Sequence, residues 1–181
     1  MANKNSRKII DKLLTLSGLV AMLALFAIGG TAWWAYSFTT SNVQKELTSQ
    51  KVYFPPKGSA ALDPKEFPGL QQYAGQLVDN GPKAKAYADE FIGVHLKKIA
   101  NGKTYAEVSN EAMADPTNQV LQQEKATLFQ GETLRALLLG NAYAFWTVGH
   151  IAQIAAIAAF IAGGLMLILV LLGWRHYKSL K

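Results

Sequence analysis

The residues best suited to acid–base or metal chemistry are three histidines, His95, His150 and His176, and their spacing decides what they can do. None has a second histidine one helical turn away, the arrangement by which a helix offers two ligands to one metal. His95 falls on the apolar face of a helical pattern, the usual place of a buried histidine with a hydrogen-bond partner. His150 and Gln153 lie one turn apart at the start of a long apolar run. They read as ordinary interfacial polar groups or, more sharply, as a polar contact to a partner helix or a bound quinone. Asp89 and Glu90 are adjacent and so point about 100° apart on a helix, which does not make an acid pair. Glu132 and Arg135, one turn apart, read as an exposed or interfacial ion pair. Ser41, Ser49, Ser59 and Ser109 lie in no nucleophile-elbow context. The chain has no cysteine, which excludes disulfides, thiolate catalysis, Cys-based zinc sites and covalent c-type haem. No catalytic residue, metal or cofactor is expected.

A pattern of small residues is more specific. Ala152, Ala155, Ala156, Ala159 and Gly163 recur at helical spacing within one apolar run. Small residues four apart let helix backbones approach closely, where dispersion and weak Cα–H···O contacts hold them. These five are the expected helix-packing positions. Ser17, Ala21 and the Gly29-Gly30 pair offer a matching surface in the first apolar run, although a second copy or another protein would serve as well.

The elements that carry these residues follow from hydropathy. From Ile154 to Gly173 no side chain is charged or strongly polar. A helix of that length spans about 30 Å, the thickness of bilayer hydrocarbon. The first apolar run, from Leu13, admits two readings. It is either a cleaved signal peptide or a retained anchor that continues to Phe38, with Trp33, Trp34 and Tyr36 as an interfacial belt. The matching aromatics at Tyr143, Phe145 and Trp146 favour the anchor. The expected organisation is therefore a basic tail (1–12), a transmembrane helix (13–38), a helical domain (39–141), a second transmembrane helix (142–174) and a basic tail (175–181).

Charge sets the orientation. The net charge of +6 resides in the tails, where Lys4, Arg7, Lys8, Lys12, Arg175, Lys178 and Lys181 face a single acid, Asp11. Basic flanks mark the cytoplasmic side, so both termini are expected in the cytoplasm and the central domain outside a bacterial cytoplasmic membrane. The same location argues against a nucleic-acid footprint and for attraction to anionic lipid.

Between the spans the pattern is all-α. A connector rich in proline and glycine (Pro55 to Gly69) precedes a short helix expected over Leu70 to Asp79. Asn80-Gly81-Pro82 opens the clearest soluble helix, Pro82 to Ala100, with Pro82 at its first position. Ala84, Ala88, Phe91, Ile92, His95 and Ile99 are expected on its inner face, and Lys83, Glu90 and Lys97 on its outer face. Asn101-Gly102 is a stop, and Thr104 with Glu107 is a capping box for Tyr105 to Ala114. Asp115-Pro116 ends that helix. The next runs from Thr117 toward the second span, with Gly131 and Gly140 as expected bends.

Over Tyr73–Ser109 and Thr127–Tyr143 the chain resembles uncharacterised bacterial, mainly actinobacterial, membrane proteins. The resemblance implies two spans with a helical external domain, and no activity or functional residues.

The function expected is a non-catalytic integral membrane protein, an accessory or scaffold whose external domain docks on another envelope protein or complex. Its partners are the bilayer and a homo-oligomer or membrane complex. The alternatives are a ligand-sensing module that signals through a partner and, less favoured, an envelope-acting enzyme.

Overall fold

A computed structural model describes residues 4–179, and among these every long element is helical and no strand forms. The first three residues and the last two, Lys181 included, lie outside the described residues. The helices are α1 (Lys4–Gln50), α2 (Gly81–Ala86), α3 (Gly93–Ile99), α4 (Tyr105–Ala114), α5 (Gln119–Leu137) and α6 (Ala144–Ser179). A π-helical turn, Tyr87–Ile92, joins α2 to α3, and a second, Leu138–Tyr143, joins α5 to α6. Two of the resulting continuous helices, Ser6–Gln50 and Gln119–Ser179, are long and apolar enough to cross a membrane.

The chain divides into two compact units. One is formed by the described residues up to Phe38 and from Gly149 onward, the other by Thr39–Val148. The second unit thus extends past the expected boundary at 141 and takes in Trp146, whose Cβ packs so closely on Gly81 that any side chain there would collide with it.

The first unit is an antiparallel pair of helices. Thr15 meets Gly173, Gly18 meets Val170, Phe26 meets Gly163 and Gly29 meets Phe160, so one number falls as the other rises. The glycines matter because a Cβ on Gly29 would lie 2.8 Å from the Phe160 ring, closer than carbon atoms approach. Small residues let the two backbones come together, and the large side chains face outward. Ile154 is 68% exposed, and Val20, Ile161, Leu165 and Leu169 are comparably bare.

The second unit is built the other way round. Its core holds Phe54, Leu62, Phe67, Leu70, Val78 and Leu138, each nearly inaccessible. A smaller cluster of Leu96, Ala100, Val108 and Leu128 joins α3, α4 and α5. The connector is ordered by its own backbone. Val78 N–H donates to Val52 O and Phe54 N–H donates to Gln76 O, each at 2.9 Å. The helix expected over Leu70 to Asp79 is corrected accordingly: a 3₁₀ turn, Pro68–Tyr73, ends before Gly75, which takes φ +71 and reverses the chain. Leu77 then pairs in extended form with Tyr53, which supplies the hydrogen bonds a helix would have supplied.

The caps follow local chemistry closely. Asn80 Oδ1 accepts from Lys83 N–H at 3.0 Å, which starts α2 at Gly81 and puts Pro82 second, one place later than expected. Gly102 N–H reaches Lys97 O at 2.7 Å and Asn101, at φ 49, donates to Lys98 O, a Schellman ending for α3. Thr104 and Glu107 form the reciprocal capping box. After Pro116 the chain turns once more before Asn118, which caps α5.

The inner face of α2–α3 is also corrected. The π turn inserts one residue, so the buried series runs Ala84, Ala88, Gly93, Leu96, Ala100. Phe91, Ile92 and His95 are half-buried, and Ile99 turns out to solvent. Lys83, expected outside, keeps only 16% side-chain exposure against Asp79 at 3.0 Å. Gly131 is a contact position: a Cβ there would lie 2.5 Å from Leu96.

Candidate functional site

In the helix pair, the expected packing stripe is brought partly together. Ala156, Ala159 and Gly163 are buried, and a Cβ on Gly163 would sit 3.3 Å from the Phe26 ring. Ala152 is half-buried, and Ala155 is exposed. The buried line therefore runs Gly149, Ala152, Ala156, Ala159, Gly163, with alternating steps of three and four, and Ala155 lies off it. His150 and Gln153 are half-buried, and the His150 ring meets Tyr36 edge-on at 5.4 Å between centroids. Tyr36 is thus a helix-contact residue as well as an aromatic near the end of the first apolar run.

In the Thr39–Val148 unit the histidine and the ion pair each join a larger cluster. His95 Nδ1 lies 2.8 Å from Phe91 O, and because a carbonyl only accepts, Nδ1–H is the donor. Its ring stacks on Phe67 at 5.4 Å and meets Phe91 at a tilt at 4.6 Å between centroids. Phe54, Tyr73 and Tyr87 continue the ring cluster. His95 thereby covers the edge of an aromatic core, and burial in the same cluster pushes the Tyr87 hydroxyl pKa up.

Arg135 is the centre of the polar network. Its Nε–H donates to Ala88 O at 3.0 Å, one terminal nitrogen reaches both Glu132 oxygens at 3.0 and 2.8 Å, and the other reaches Asp89 Oδ1 at 3.2 Å. Asp89 also accepts from Lys85 Nζ at 2.6 Å. That Lys85 hydrogen bond, helped by Arg135, holds the Asp89 carboxyl below its usual range, and Asp89 in return raises Lys85. The Ala88 carbonyl is also the acceptor of the Gly93 N–H in the π turn. Arg135 therefore clamps α5 onto the irregular turn of the neighbouring helix. Each charge is met by an opposite one, which suits positioning rather than proton transfer. Glu90 diverges from Asp89, as adjacent helical residues do, and lies over Gly69.

A groove of about 340 Å³ in the same unit runs between the last turns of α1 and the segment from Leu134 to Phe145. Val43, Leu47, Leu138 and Ala142 form its floor, and Asn42, Glu46, Gln50 and Asn141 supply polar groups among its lining. Leu134, Leu137 and Phe145 stand 41, 51 and 56% exposed beside it. Among the described residues, no three His, Asp or Glu side chains converge as a metal site. The sequence reading missed the Arg135–Asp89 link and this groove. Separation along the chain hides the first, and the second exists only once α1 and α5 are packed. Comparison with known proteins gives no further guide: no protein family, curated protein or solved structure matches the chain.

Proposed function

We propose that this is a non-catalytic integral membrane protein, an accessory or scaffold component of a bacterial envelope. Its two apolar helices span the cytoplasmic membrane with both termini inside, and its Thr39–Val148 unit is the external docking module. The single observation that carries this reading is the inverted helix pair, in which small residues are buried and large aliphatic ones are bare. Water would penalise that surface, whereas lipid tails match it. The docking role is supported by the groove flanked by Leu134, Leu137 and Phe145, whose exposed apolar side chains exceed what a solvated rim needs.

The chain's lack of cysteine makes the topology testable. Single cysteines at Ser6, Ser59, Asn110 and Ser179 would be treated with a membrane-impermeant thiol reagent on intact cells. Labelling at 59 and 110 alone is expected, and labelling at 6 or 179 would overturn the orientation. For docking, Leu137→Glu should abolish stoichiometric co-purification of a membrane partner from gentle detergent while leaving thermal unfolding unchanged. An unaltered complex would remove the groove from the docking surface.

A further inference from the structure

We infer that the end of the helix pair where the basic tail residues gather is a binding site for an anionic phospholipid. The inference rests on the membrane reading above. Antiparallel packing brings the start of α1 and the end of α6 together: His176 Nε2 is 3.5 Å from Asp11 Oδ2, and Lys8 Nζ lies 5.9 Å from the centre of the Tyr177 ring. Arg7, Lys8, Lys12, Arg175 and Lys178 thereby share one end with Asp11 as the only acid among the described residues there.

A groove of about 230 Å³ opens along the pair next to this end, lined by Leu14, Thr15, Gly18, Met166, Leu169 and Gly173 among others. Val170 packs over Gly18 and Thr15 over Gly173, so the floor of the groove is closed by the facing helix. Nearly all its lining is apolar, so it offers water few partners and suits an acyl chain. Arg7 lies two turns before Leu14 on the same side of α1, and His176 lies two turns after Leu169 on the same side of α6. The groove therefore leads toward a cation on one helix and an imidazole on the other.

The charge of the headgroup follows from the cations, which fit a phosphate and favour net-anionic over zwitterionic lipid. Asp11 Oδ2 is turned toward His176 Nε2 and away from the surface, so it does not offset the cations that face the groove.

The test uses the full chain purified in neutral detergent, with phosphatidylglycerol and phosphatidylcholine of matched acyl chains offered in equal amounts and retained lipid read by native mass spectrometry. At least tenfold preference for phosphatidylglycerol is expected. The double variant Arg7→Gln, Lys8→Gln should lose most of that preference, while Lys12→Gln, Lys178→Gln, which leaves the groove side intact, should keep it. Leu14→Trp should reduce retention of both lipids by filling the groove. Equal retention of the two lipids by a chain that needs detergent would overturn the site alone, as would a preference lost equally in both double variants, which would mean diffuse charge attraction. A chain that stays soluble without detergent would overturn the membrane reading and the site with it.

Discussion

In the helix pair most of the residues withdrawn from the surroundings are small, Gly29, Ala156, Ala159 and Gly163 among them, with Met22 and Val170 the larger exceptions, while Ile154, Ile161 and Leu165 are bare. In the Thr39–Val148 unit the withdrawn residues are Phe54, Leu62, Phe67 and Leu70, while Lys97, Glu107 and Gln123 are bare. On the membrane reading proposed above, the two regions solve opposite problems. A unit in water gains by removing large apolar surface. A helix pair in lipid gains nothing from that and must be held by close packing, which only small residues permit. The contrast predicts that the two regions fail under different substitutions.

The largest effect should come from the Thr39–Val148 unit. Phe54→Ala removes a ring with 1% exposure that contacts Tyr73 and Tyr87, and should cost about 3–5 kcal/mol in unfolding of that unit. The same deletion at a bare position of the pair, Leu165→Ala, should stay within about 0.5 kcal/mol. Comparable losses at the two sites in denaturant titrations would dissolve the comparison.

Adding volume should reverse the ranking. Gly163→Leu drives a side chain into the Phe26 ring and should destabilise the pair by about 1–3 kcal/mol, whereas Ala155→Leu, one face away, should be tolerated. Crosslinking between single cysteines at positions 18 and 170 of the same pair would read the separation. Unchanged crosslinking in Gly163→Leu would place the stripe against lipid instead of against α1.

These two predictions draw on features of unequal legibility. The alternation of small residues was visible in the sequence because helical spacing alone generates it, but the true line omits Ala155 and takes in Gly149. Choosing between neighbouring lines needs the partner helix. The Thr104–Glu107 box and the Asn101-Gly102 stop were legible because their hydrogen bonds close within a few residues. The π turn at Tyr87–Ile92 was not, since no local residue type demands an extra residue in a helix. It is held from outside by Arg135, which lies 47 residues from the carbonyl it binds. For the same reason the local pattern suggests a helix at Gln76–Val78 where the chain is extended: its hydrogen bonds depend on Val52 and Phe54, a distant strip of chain.

The Arg135 clamp gives a smaller, pH-dependent effect. Asp89 has its pKa depressed in the folded chain, so its contribution is present above the unfolded value, about 4, and is lost as pH falls through the lower folded value. Asp89→Asn should therefore flatten the acid limb of thermal stability below about pH 4. Lys85 has the opposite sign: its raised pKa contributes stability below its unfolded value that disappears at strongly alkaline pH. An acid limb that is identical in the variant would mean that Asp89 is not coupled to folding. A single cap contributes on a similar modest scale: Thr104→Ala should cost about 1 kcal/mol in the same measurement.

The solvent of the helix pair is the claim on which the rest depends. Spin labels placed one at a time at Ile161, Leu165, Asn110 and Gln123, in the chain reconstituted into vesicles, would be assayed for collisions with oxygen and with a water-soluble nickel complex. Oxygen should dominate at 161 and 165, and nickel at 110 and 123. Nickel access at 161 and 165 equal to that at 110 and 123 would contradict the account, because the bare aliphatic face would then be standing in water.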